Sequence, residues 1–283
     1  MQANFDHCAA LVREADRDHY LAGLFAPPEQ RDALFALYAF NAEIARVRDV
    51  VHEALPGEMR LQWWREVLSG ERDGEAAAHP VAAALLEVIK RYRFVSAPLL
   101  ELIDARIFDL YDEPMATIGE LELYGIRTQS PIVAIASGIL SNGNTPPELF
   151  TLDASVACTI AAVLSRLGRH TARGQLYLPL DVLERHRVAS ENVFAGQASA
   201  PLFAALAEIR KLARDHLVAA QTKLKSAPPE IFPALLPVAL VGPTLRRMER
   251  ADYEPFKFEP LALWRRQWLL WRAARDPTRI FRV

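Results

Sequence analysis

Residues 27–51 read PPEQRDALFALYAFNAEIARVRDVV. Within them Leu34, Leu37, Tyr38, Asn41, Ile44 and Ala45 recur at steps of three and four, the spacing that lays side chains along one face of a helix, so a helix is predicted over Glu29–Val51. Pro27 and Pro28 stand just before it, where a proline ring in the first turn costs no intrahelical hydrogen bond. The same periodicity predicts helices near Glu58–Ser69, Pro80–Tyr92, Pro98–Leu110, Ile118–Leu140, Pro147–Gly168, Ser199–Lys225, Glu230–Arg250 and Pro260–Arg275. Alternating runs of strand length are hard to find, so the chain reads as all-α.

Pro146-Pro147 and Pro228-Pro229 are read as two further helix starts, and Pro131 as a bend inside its helix. The run Tyr253–Pro260 is the best irregular connection, and it leads into a distinct C-terminal helix at 260–275. No linker rich in Gly and Ser, low-complexity tract or fixed-period repeat divides the chain, which is read as a single domain over 1–283 with roughly ten helices.

Of the 283 residues 51% are hydrophobic and 24% charged, the balance of a folded chain with a core rather than of a disordered one. The formal net charge is −2, and no motif that reads DNA or RNA occurs, so nucleic acid is excluded as a general partner. Cys8 and Cys158 sit in Ala-rich surroundings and are read as buried thiols in a reducing compartment. Met1–His7 carries no basic segment leading into an apolar run. The longest apolar stretch, Ile231–Val241, is about half a bilayer span and contains Pro233 and Pro237. The expectation is an intracellular, cytoplasmic protein, at most peripheral at the inner membrane, with no signal peptide or transmembrane segment.

There is no Walker loop, G-x-G-x-x-G, H-E-x-x-H, C-x-x-C or G-x-S-x-G. None of the seven histidines has another three or four residues away, which speaks against a histidine-based zinc site. The informative segments are Tyr20-Leu21-Ala22 with Ala36-Leu37-Tyr38-Ala39-Phe40, then Ile118 to Tyr124 (IGELELY), then Gly174 to Pro179 (GQLYLP). Their order and spacing resemble the squalene/phytoene synthase family, over roughly Phe5 to Arg275. That resemblance implies the all-α isoprenoid (terpenoid) synthase fold around a central cavity. It also implies two facing helices whose aspartates, at i and i+4, hold Mg²⁺ against the diphosphate of an allylic substrate.

This sequence departs from that pattern at the aspartates. After Tyr38-Ala39-Phe40 the family has a Cys-Arg pair and then Asp-Asp-x-x-Asp, whereas here Asn41 to Asp49 reads NAEIARVRD and keeps only Asp49. The second motif, Asn-x-x-Arg-Asp-x-x-x-Asp, is replaced by Ala162 to His170, AVLSRLGRH, with Arg166 and His170 at the aspartate positions. A lone carboxylate beside guanidinium groups is a poor Mg²⁺ site. Asp104, Asp109, Asp112 and Glu113 are the densest acids elsewhere, and they are read as a solvated helix end.

The departing segments, with Met59 to Arg65 (MRLQWWR) and with Tyr124 before Thr128-Gln129-Ser130, are similar to a branch of the family that includes a mitochondrial complex I assembly factor and lacks the aspartates. By that resemblance the chain is a pseudoenzyme with no cofactor that assists assembly of respiratory complex I, its subunits or assembly proteins being the partners. The alternative is a divergent prenyl transferase that condenses two prenyl diphosphates with Mg²⁺.

On the family geometry Arg46 and Arg166 lie on opposing helices, with Arg169 and His170 close by. Guanidinium groups there would bind an anionic lipid or isoprenoid headgroup bidentately in place of the metal. Asp49, Tyr38, Phe40, Tyr124, Gln129 and Tyr177 complete the expected ligand site, and the competing reading is a decayed site whose arginines pair with Glu43 and Asp49 or face water. Residues 261–283 carry a net charge of +5 against −7 for the preceding 260. Trp264, Trp268 and Trp271 fall on one face of the C-terminal helix, which suits either closure of the core or contact with an anionic membrane surface. The Trp63-Trp64 pair is read as packing in preference to a partner surface.

Overall fold

The computed structural model describes residues 1–51, 53–144, 151–224 and 227–282, with Leu224 described by its backbone alone. Among these residues there is no strand. The α-helices are α1 (Gln2–Ala15), α2 (Arg17–Gly23), α3 (Pro28–Ala45), α4 (Val47–Val50), α5 (Ala54–Leu68), α6 (Asp73–Ala78), α7 (Pro80–Tyr92), α8 (Ala97–Arg106), α9 (Ile118–Leu140), α10 (Leu152–Ser165), α11 (Leu167–Thr171), α12 (Leu180–Arg185), α13 (Ser190–Phe194), α14 (Ala200–Leu224), α15 (Phe232–Leu235), α16 (Val241–Arg247) and α17 (Leu263–Arg275). Short 3₁₀ turns stand between several of them.

Contacts gather the chain into two compact units. The first comprises Met1–Leu110, Ser130–Glu148 and Ala227–Pro237. Here α1, α3 and α7 pack on one another and bury Cys8, Val12, Leu34, Leu37, Val81, Leu85 and Val88. Each buried Leu or Val contributes roughly 1.5–3 kcal/mol, so the apolar spacing read in α3 is what fixes its inward face. Gln30 on α3 is itself buried and donates from Nε2 to the carbonyls of Ile139 (3.0 Å), which also accepts from the Asn142 N–H, and of Leu140 (3.2 Å), at the end of α9 where the carbonyls run out of helical partners.

The second unit comprises Tyr111–Gln129, Leu149–Ser226 and Val238–Val283. Its axis is the pairing of α10 with α14, joined by polar contacts at one end. Asp153 on α10 accepts from His216 Nδ1 (2.8 Å) and Lys223 Nζ (2.5 Å) of α14, while His216 Nε2 reaches Glu122 of α9 at 3.0 Å. Cys8 and Cys158 are not joined in a disulfide; Cys8 is buried as expected, but Cys158 is only half-buried.

Several boundaries differ from the sequence expectation. The helix predicted over Glu29–Val51 stops at Ala45, because Arg46 leaves ideal helical geometry (φ −91°, ψ −3°) and the β-branched Val47, Val50 and Val51 sustain only the single turn of α4. The segment predicted as Glu230–Arg250 is broken into 3₁₀ turns at Pro229–Ile231 and Leu236–Leu240 and the short helices α15 and α16, since Pro233, Pro237 and Pro243 each remove a backbone donor. Pro98–Leu110 ends as α-helix at Arg106 and continues as 3₁₀. Ile118–Leu140 is found as expected, running on through Pro131. Pro146-Pro147 lie outside the described residues.

Candidate functional site

In the first unit Tyr38 and Phe40 are core residues of α3. The Tyr38 ring lies 4.6 Å from that of His19, whose Nδ1 is 2.7 Å from Asp16, and burial pushes the Tyr38 hydroxyl well above its usual pKa. The Phe40 ring meets Trp64 edge-on at 5.0 Å, and Trp64 in turn meets Trp63 at 5.1 Å. Trp64 is buried and Trp63 half-buried with its indole N–H donating to Glu75 (2.9 Å), so this pair does pack.

Arg46 and Asp49, by contrast, are exposed where α3 gives way to α4. Arg46 lines a cavity of about 380 Å³ together with Glu43, Arg60, Trp63, Trp64 and His79. Burial pushes the Glu43 carboxyl up to about 7 against the opposing pull of Arg46 and Arg60. His79 Nε2 stands 3.7 Å from Glu43, while its Nδ1 accepts from the Ala82 N–H (3.3 Å). Burial and then His7 hold His79 below its ordinary pKa. The cavity therefore sets an imidazole held below its ordinary pKa beside a carboxyl that titrates near neutrality. Sequence spacing did place Glu43 one turn from Arg46, but nothing in the sequence brings Arg60 or His79 to them.

In the second unit Arg166 sits at the break between α10 and α11, where φ −110° and ψ 12° interrupt the helix. Arg166 and Arg169 are exposed and His170 is half-buried. The His170 ring lies 4.5 Å from that of Tyr177, which lies 5.7 Å from Tyr124, so three of the expected ligand residues do come together. Gln175 is buried beside them, its Nε2 3.5 Å from the Tyr177 hydroxyl. Gln129 is half-buried one turn beyond Tyr124 on α9. Gly168 is required here: a Cβ at that position would run into the carbonyl oxygen of Phe256, so only glycine lets α11 approach the 3₁₀ turn Pro255–Lys257 this closely.

Mg²⁺ is held by carboxylate oxygens in octahedral order. The positions that the family pattern reserves for them carry Ala45, Arg46, Asp49, Arg166 and His170, a donor set with one carboxylate and two cations, which does not fit the ion. No group of three or more His, Cys, Asp and Glu side chains among the described residues could hold a metal ion. The acids read as a solvated helix end are partly engaged instead. Asp109 is buried against Arg106 (3.1 Å) and Asp104 pairs with Arg65, while Asp112 and Glu113 are exposed.

The C-terminal helix corrects the core reading of its tryptophans. Leu270 and Ala273 of α17 are buried, whereas Trp264, Trp268 and Trp271 retain 71%, 47% and 43% of their exposure. Arg272 stacks on Trp268 and Arg275 on Trp271, each 4.2 Å from the ring centroid. No helix among the described residues is long and apolar enough to cross a membrane.

The family model for squalene/phytoene synthase matches residues 12–272, and the chain belongs to that family. It has the isoprenoid synthase fold. A dehydrosqualene synthase solved with a ligand superposes at a TM-score of 0.79, with 16% identity, covering 98% of this chain and 96% of that one. A squalene synthase from Alicyclobacillus acidocaldarius gives 0.75 with 21% identity, covering 90% and 96%. Among curated relatives, human NADH dehydrogenase (ubiquinone) complex I, assembly factor 6 is 30% identical over 252 residues, which cover 89% of this chain and 76% of the human protein. The 15-cis-phytoene synthase of Synechocystis is 24% identical over 204 residues, covering 68% of this chain and 60% of the enzyme.

Proposed function

We propose that this protein is a non-catalytic member of the squalene/phytoene synthase family that assists assembly of respiratory complex I, the NADH:quinone oxidoreductase, and works without a metal cofactor. The observation that carries the reading is the replacement of the metal-holding carboxylates by Arg46, Arg166 and His170 in a chain that aligns over 89% of its length with a complex I assembly factor. In this reading Arg166, Arg169 and His170, beside Tyr177 and Tyr124, hold the anionic head of a lipid or isoprenoid. The chain touches a membrane face through Trp264, Trp268 and Trp271.

The test is deletion of the gene in its native host, followed by measurement of assembled complex I on native gels and of NADH:quinone activity in membranes. Assembled complex should fall several-fold and return with the wild-type gene and equally with Asp49→Asn, because the remaining carboxylate has no catalytic task. Normal complex I in the deletion strain would overturn the reading. The competing reading, a prenyl transferase condensing two prenyl diphosphates, has in its favour the Tyr124–Tyr177 pair kept from the family pattern, and it requires Mg²⁺-dependent turnover.

A further inference from the structure

In the second unit, arginines of α14, α16, α17 and the C-terminal segment lie within electrostatic reach of one another. On α14, Arg214 pairs with Glu249 at 2.5 Å. One turn earlier Arg210 is buried, stacked at 5.7 Å on the Tyr253 ring, and its Nε and Nη1 meet no acceptor. On α16, Arg246 has its guanidinium held below the ordinary arginine pKa, first by the protein around it and then by Arg214, Arg282 and Arg265. Arg246, Arg265 and Arg282 make no ion pair or side-chain hydrogen bond with a described residue. The Glu249 carboxylate opposes this repulsion on Arg246, but it already serves Arg214.

The fold holds this repulsive arrangement in place. Ile280 and Phe281 are buried, and a Cβ at Gly242 would strike the carbonyl oxygen of Arg282, so the C-terminal segment lies tightly against α16 and keeps Arg282 beside Arg246. Like charges packed together cost free energy unless an anion enters among them. The neighbouring α17 supplies Arg265 to the cluster and turns Trp264, Trp268 and Trp271 to solvent. Tryptophan beside arginine on an amphipathic helix suits the boundary between headgroups and acyl chains, and clustered arginine suits anionic headgroups.

We propose that Arg246, Arg265 and Arg282, with Arg214 behind them, form a binding site for the phosphate headgroups of an anionic phospholipid bilayer, onto which the Trp264–Trp268–Trp271 face of α17 docks. The inference deepens the membrane contact of α17 and rests on that reading, independently of any role in complex I assembly. Each arginine brought to an anionic surface strengthens binding about fivefold, so a pair accounts for about 25-fold.

The test is sedimentation of the full chain with phosphatidylcholine vesicles and with vesicles in which about 30% of the lipid is phosphatidylglycerol. The intact chain should sediment with the anionic vesicles, shift its tryptophan emission to shorter wavelength and stay in solution with the neutral ones. Arg246→Gln with Arg265→Gln, both at exposed positions, should weaken partition about 25-fold, and Trp264→Ser with Trp268→Ser should abolish the emission shift. A chain that ignores anionic vesicles overturns both the headgroup site and the membrane contact. Loss of binding in the Trp variant with none in the Arg variant overturns the headgroup site alone. Capture of glycerol 3-phosphate without vesicle binding marks a soluble phosphate as the ligand and overturns the bilayer. Vesicle binding in a protein whose deletion leaves complex I intact removes the assembly role and leaves this site standing.

Discussion

Replacing Glu43 by Gln tests the electrostatics of the cavity beside Arg46. Glu43 is mostly withdrawn from water, and its carboxyl is pushed up from its ordinary 4.5 to about 7 by burial, which Arg46 and Arg60 oppose. The buried thiol of Cys8 on α1 and the imidazole of His79 before α7 also face it. The native state thus binds the Glu43 proton more tightly than the unfolded chain does. Its stabilising contribution is complete below pH 4.5 and is lost as pH rises through 7, a difference of about 3 kcal/mol at 1.36 kcal/mol per tenfold change in proton affinity. A neutral amide of the same size has nothing to lose on that rise. The assay is urea unfolding of both proteins at about pH 4 and about pH 8, followed by tryptophan emission, since Trp63 and Trp64 line the same cavity. The variant should gain about 3 kcal/mol on the wild type between the two pH values, whatever fixed cost the amide carries at both. An unchanged difference between the proteins at the two pH values would refute the reasoning.

Gly168→Ala should destabilise the second unit by at least about 2 kcal/mol, because its Cβ meets the Phe256 carbonyl and backbone has to move; thermal unfolding measures it. Asp153 is drawn down from its ordinary pKa because Lys223 and His216 outweigh the burial that would raise it. Its stabilisation is therefore present above 3.8 and is lost as pH falls below that value, and Asp153→Asn should cost about 2 kcal/mol at neutral pH and nothing once the native carboxyl is protonated. Gln30→Ala should cost about 1–3 kcal/mol by leaving the Leu140 carbonyl without the Gln30 donor, while the Ile139 carbonyl keeps the Asn142 N–H, read as faster hydrogen exchange at the end of α9.

The helical class was legible because apolar spacing in segments such as Leu34–Ile44 is a direct image of which face is buried. Breaks were less legible. Arg46 and Arg166 end their helices through local backbone geometry that periodicity does not encode, and the three prolines between Glu230 and Arg250 break a run whose apolar spacing alone predicts one helix. The clustering of Tyr124, His170 and Tyr177 was legible only through the family resemblance, since 46 residues of chain separate Tyr124 from His170. The tryptophan stripe shows the limit of pattern: spacing places Trp264, Trp268 and Trp271 on one face, but whether that face is covered depends on Leu270 and Ala273 holding the opposite one inward. The arginine cluster draws on α14, α16 and the last residues of the chain, and no local pattern announces it.

The proposed loss of catalysis predicts that the protein does not ionise a prenyl diphosphate. Purified protein incubated with farnesyl and geranylgeranyl diphosphate, with Mg²⁺ and with EDTA, should release no diphosphate above the EDTA blank, because the residues that would hold the ion are Ala45, Arg46, Asp49, Arg166 and His170. Diphosphate release that depends on Mg²⁺ would contradict a non-catalytic role.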